Sequence, residues 1–71
     1  MELISGKNCP ACTLIKRKMN KMGIAYKEIS PENFERKHPG VQITAIPVLV
    51  SQGQMYVGSD AFDEVENLKN G

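Results

Sequence analysis

Glu2-Leu3-Ile4-Ser5-Gly6-Lys7-Asn8-Cys9-Pro10-Ala11-Cys12 is the stretch on which the fold turns. Glu2 to Ser5 reads as a short first strand, and Gly6-Lys7-Asn8 turns the chain into two cysteines spaced C-x-x-C. After Pro10 no glycine or proline interrupts the chain up to Met22. Ala11, Leu14, Ile15, Met19 and Met22 recur at helical spacing, while Lys16, Arg17, Lys18 and Lys21 fall elsewhere, which predicts an amphipathic helix. Pro10 suits its first turn, where a missing N–H costs nothing. Gly23 suits the C′ stop, and the basic residues of the second half complement the helix dipole. Cys9 is thus expected in a strand-to-helix turn and Cys12 in the first helical turn.

Working outward, Ile24 to Ile29 reads as a second strand. Ser30-Pro31 is an N-cap and N1 pair for a short helix through Glu35 or Lys37, ended by His38-Pro39-Gly40. Val41 to Ile46 is irregular or extended. Val48-Leu49-Val50, uniformly apolar, reads as a third strand covered on both faces. Met55-Tyr56-Val57 follows a turn at Ser51-Gln52-Gly53-Gln54 and forms an antiparallel hairpin with it. A last helix from Asp60 to Leu68 carries Phe62, Val65 and Leu68 along one face. The order is β-α-β-α-β-β-α. A full helix between the first two strands implies a right-handed parallel crossover. A mixed four-stranded sheet with helices on both faces, a three-layer α/β fold, buries the most apolar surface this chain offers.

Composition bounds the function. With 71 residues and 7.9 kDa, the chain is expected to be one domain, residues 1–71. A domain so short buries only about 60% of its unfolded surface. Apolar residues make up 41% and charged residues 24%, close to the globular average, which excludes a low-complexity chain. The net charge of +1 argues against a polyanion binder, so no nucleic-acid partner is expected. The longest apolar run, Ala45 to Val50, is interrupted by Pro47 and falls far short of the roughly 18 residues of a membrane span. Met1 to Ser5 has neither a basic flank nor a sufficient apolar run, so no signal peptide is expected. The expected location is the cytoplasm, and the expected state a monomer.

Two cysteines do not make a secreted disulfide scaffold, and two thiolates with the single His38 do not complete a tetrahedral zinc site. A close pair in a reducing compartment then means catalytic redox chemistry or transient metal carriage. At a helix start, unpaired N–H groups and the positive dipole end favour an anion on Cys9. C-x-x-C thiols so placed have pKa values of roughly 3.5–7.5, and Lys7 adds positive potential. Cys9 is expected to attack a substrate disulfide. Cys12, deeper, is expected to displace the reduced product, with Pro10 stiffening the intervening turn and Ala11 leaving it uncrowded. A second feature is Ile46-Pro47 opening a buried strand. A proline there cannot donate to the ladder. A cis bond would leave the Ile46 backbone free to pair with an extended peptide, whereas a trans proline at a strand edge is the common alternative.

Strand-Cys9-Pro10-Ala11-Cys12-helix near the N-terminus, Ile46-Pro47 entering the third strand and Gly58 before the last helix together resemble the thioredoxin superfamily. The size and Cys-Pro-Ala-Cys resemble its glutaredoxin branch, over essentially the whole chain. The resemblance implies a thioredoxin-like fold, a cis Pro47, an Ile46 backbone that pairs with substrate, a nucleophilic Cys9 and a resolving Cys12. It implies a dithiol-disulfide oxidoreductase with no bound cofactor or metal, recharged by glutathione or by thioredoxin reductase and NADPH. Gly58, Ser59 and Asp60 correspond to the turn that holds glutathione. Glutaredoxins usually carry a basic residue three positions before the first cysteine, a tyrosine in the motif and paired aspartates in that turn. Here those places hold Gly6, Ala11 and a single Asp60, with Lys7 displaced by one. The sequence also resembles the hydrogen donors of ribonucleotide reductase, which thioredoxin reductase recharges, though their usual motif is absent. The departures favour a protein donor. A glutathione-ligated iron–sulfur dimer stays open.

Two readings compete from other classes. Small copper carriers use C-x-x-C after a first strand, and two thiolates hold Cu(I), but those domains usually have methionine at the place of Lys7 and end on a strand. A non-catalytic adaptor on a redox fold is the other. His38 reads as a solvated helix end, Met19 and Met22 as core filling, Tyr26 and Tyr56 as strand residues. The Lys16-Arg17-Lys18-Lys21 cluster reads as a solvated face that could steer an acidic partner.

Overall fold

A computed structural model describes residues 1–70. Its elements are β1 (Glu2–Ile4), α1 (Pro10–Lys21), β2 (Lys27–Ile29), α2 (Pro31–Lys37), β3 (Val48–Ser51), β4 (Gln54–Val57) and α3 (Ser59–Asn70). The order is the one read from the sequence. The four strands form one mixed sheet, ordered β2-β1-β3-β4. β1 runs parallel to β2, and the β1–β3 and β3–β4 pairs are antiparallel.

The register sorts the side chains because neighbours along a strand alternate faces. Leu3 lies opposite Leu49, and Leu49 opposite Tyr56. This face packs with Ile15 and Met19 of α1 and with Ala61 and Val65 of α3. Ile4 lies opposite Ile29 and Val48, and that opposite face packs with Phe34 of α2. Helices therefore cover both faces, and Val48 and Leu49 of β3 are buried on opposite sides, as its apolar run requires.

α1 ends as its sequence dictates. Gly23 at φ +72° permits the closing pair of hydrogen bonds, Gly23 N–H to Asn20 C=O at 3.2 Å and Ile24 N–H to Met19 C=O at 3.0 Å. This is the Schellman stop. α2 starts on Ser30, whose hydroxyl accepts from Asn33 N–H at 3.2 Å, with Pro31 at N1. It ends on exposed His38, whose ring stacks on Phe34 at 4.3 Å.

Three expectations are corrected. Leu14 is 56% exposed. The buried line of α1 runs through Cys12, Ile15 and Met19, and a residue beside Ile15 lies about 100° around the helix from it, outside that stripe. Leu68 is exposed as well, because the buried line of α3 is Ala61 and Val65 with Phe62 on its flank. β2 loses its first half: Ile24 is held by the α1 stop, and only Lys27–Ile29 pairs with β1. Tyr26 thus precedes β2 and packs at the margin of the core, while Tyr56 lies in β4. No described helix is long and apolar enough to cross a membrane.

Candidate active site at the β1–α1 turn

Asn8, in the left-handed region at φ 56°, is of a type that tolerates it. Cys9 then adopts an extended backbone and becomes the N-cap of α1. Its carbonyl accepts the Thr13 N–H at 3.1 Å, and its Sγ accepts the Cys12 N–H, also at 3.1 Å. One sulfur thus caps a donor that would otherwise have no intrahelical partner. Cys12, one turn on, is 1% exposed and Cys9 is half-buried, matching the expected division between an outer and an inner sulfur. The two are joined as a disulfide, with Cα atoms 5.2 Å apart. Pro10 occupies the first helical position and is exposed.

A groove of about 1420 Å³ opens beside Cys9, outside the carboxyl ends of the parallel pair β1 and β2. Open α/β sheets commonly bind ligands in that position. Lys7, Cys9 and Pro10 line it, together with Ser5, Thr13, Lys16, Glu28 and Glu32.

Sequence reasoning missed the polar cluster in this groove. The buried Ser5 hydroxyl donates to Glu28 Oε2 at 2.5 Å, and Lys16 Nζ lies 3.0 Å from the same oxygen. The parallel register places Leu3 beside Glu28, which puts Ser5 and Glu28 on the α1 face. The Ser5 hydrogen bond first, and Lys16 second, hold the Glu28 carboxyl below its ordinary range. A carboxyl depressed on folding adds stability that is fully present above its unfolded titration and lost as pH falls through the folded one. Ser5→Ala is therefore expected to raise the Glu28 midpoint, read by NMR titration. The stability gap between the two proteins should be constant above the ordinary carboxylate range and narrow in acid. An unchanged midpoint would contradict this account of the cluster.

The other expected residues meet elsewhere. The Ile46–Pro47 peptide bond is cis, and Pro47 is fully buried. The Pro47 carbonyl accepts the Gly58 N–H at 2.9 Å, and the Gly58 carbonyl accepts from Ala61 N–H at 3.0 Å. Gly58 sits at φ +60°, and Ser59 and Asp60, both exposed, open α3 behind it. Pairing of Val48 with Val57 brings these positions together. Ile46 reaches the β1–α1 turn from this side: a Cβ added to Gly6 would lie 2.9 Å from Ile46 Cδ1. Ile46 thus packs against Gly6. Ala11, Ile46, Pro47, Gly58, Ser59 and Asp60 are not among the residues lining the groove.

Among the described residues, no group of three or more histidines, cysteines or acids could hold a metal ion. No family model, curated protein or solved structure matches the chain.

Proposed function

We propose that this protein is a dithiol-disulfide oxidoreductase of thioredoxin-like fold, resembling the glutaredoxins, that reduces disulfides in the cytoplasm through Cys9 and Cys12. The observation that carries the reading is the asymmetric pair at the start of α1: an accessible sulfur receiving a backbone N–H, bonded to a buried one. In the reduced protein that N–H and the helix dipole favour the Cys9 thiolate. The thiolate attacks one sulfur of a substrate disulfide, forming a mixed disulfide and releasing the other half as a thiolate, which takes a proton. Cys12, losing its proton, attacks Cys9 Sγ, closes the Cys9–Cys12 bond and releases the second thiol. Two electrons and two protons pass to the substrate, and an external reductant returns them.

The reductant we favour is a protein of the thioredoxin reductase class. Glutathione recognition relies on charged hydrogen bonds, each worth roughly 1.5–3 kcal/mol, or about tenfold or more in affinity. Gly6 stands where glutaredoxins usually carry a basic residue, with Ile46 packed against it, and the turn before α3 retains a single aspartate, Asp60. The competing Cu(I) shuttle uses the same two thiolates, but the element that follows β4 is the helix α3 rather than a strand.

The test is to supply the oxidised protein with either glutathione and glutathione reductase or NADPH and thioredoxin reductase. Reduction at least tenfold faster by the protein reductase is expected. Equal rates would reverse the choice of donor. Reduction by neither system, with tight Cu(I) binding by the thiols, would favour the metal reading.

A further inference from the structure

The groove beside Cys9 holds both matched and unmatched charges. Lys16 and Ser5 both bond to the Glu28 carboxylate. The lining also includes Lys7, two residues before Cys9, and Glu32, in the first turn of α2. Both are exposed, and among the described residues neither makes an ion pair or a side-chain hydrogen bond. A first-turn acid also suits the α2 dipole, but Glu32 lines the same groove as the unpaired Lys7. Ile46 and Pro47 are not among the residues lining this groove.

We propose that the groove is a substrate subsite that holds the polypeptide flank of the disulfide under attack. It favours a flank with an acidic residue close to the cysteine, against Lys7, and a basic residue farther out, against Glu32. This rests on the redox reading of Cys9. Because Lys16 and Glu28 already satisfy one another, a ligand gains most at Lys7 and Glu32, where complementary charge raises encounter rates and suppresses flanks of the wrong order. The substrate class is thus a protein disulfide beside a bipolar segment, not one beside an acidic or a basic run.

The experiment uses two disulfide peptides of identical composition. One carries Glu next to the cysteine and Lys farther out; the other has the two exchanged. The reduced full-length protein is expected to favour the first in kcat/KM by about two- to fivefold at low salt, the range of exposed ion pairs. The preference should shrink at high salt. Lys7→Glu combined with Glu32→Lys should invert it, and Glu32→Gln alone should weaken it. Equal rates on both peptides, or a preference that survives the charge exchange, would overturn the subsite while leaving the redox chemistry standing. If the wild-type protein reduces neither peptide, the redox reading fails and the subsite with it.

Discussion

Cys9→Ser is expected to reduce disulfide turnover to background, whereas Cys12→Ser should complete the first exchange and stop there as a trapped mixed disulfide. The difference follows from access. Cys9 is half-buried at the mouth of a groove and receives the Cys12 N–H, while Cys12 is 1% exposed behind it. A serine hydroxyl at position 9 supplies no thiolate, and the buried Cys12 cannot reach an incoming disulfide in its place. With serine at position 12, the attacking sulfur is intact but nothing displaces the product. Mass spectrometry after mixing with a disulfide substrate should show the covalent adduct in Cys12→Ser and none in Cys9→Ser. In the reduced wild-type protein, a brief pulse of alkylating agent at neutral pH should label Cys9 first. Preferential labelling of Cys12 would invert the assignment of roles.

Leu49→Ala should come close to unfolding the protein. Leu49 is fully buried in the central strand, flanked by Leu3 and Tyr56 in the register and packed in the cluster that includes Ile15, Met19 and Val65. Large-to-small changes at such positions cost about 2–5 kcal/mol. A domain of 71 residues has a total stability of only about 4–11 kcal/mol. The urea midpoint should fall by about a fifth or more, and disulfide reduction should fall with the folded fraction. Leu14→Ala is the control: the same atoms are removed from a side chain that is 56% exposed, and surface changes of this kind stay within about 0.5 kcal/mol. A Leu14 effect as large as that of Leu49 would mean that this face of α1 is covered in solution.

The sequence carries the element order because each junction is marked locally. Gly23 at the α1 stop, Ser30-Pro31 at the α2 start and the apolar run of β3 all name their own roles. Local signals fail where tertiary pairing decides. Ile24 and Tyr26 have strand-forming side chains, yet the Schellman closure takes Ile24 and β1 pairs with Lys27 onward. Leu14 has the right hydrophobicity and the wrong azimuth. Of the site, the cysteines and their order of exposure follow from one helix start. Ser5, Glu28 and Lys16 do not, since Ser5 and Glu28 are 23 positions apart and meet only through the parallel register. Functional weight therefore rests on the geometry at α1.

α1 bears both cysteines, and it is tied on two flanks. Lys16 reaches the carboxylate of Glu28 in β2, and Lys18 reaches that of Glu66 in α3. Two residues of helix span about 200° of azimuth, so the stays pull from nearly opposite sides of the cylinder. Packing of Ile15 and Met19 in the core already limits the roll of the helix about its long axis, and a single tether would restrain the remainder from one side only. A pair of opposed ones converts that roll into the stretching of one stay or the other. Both are partly exposed ion pairs and are screened by salt. Raised ionic strength is therefore expected to slacken both stays on the helix that carries the outer sulfur while leaving its buried contacts in place.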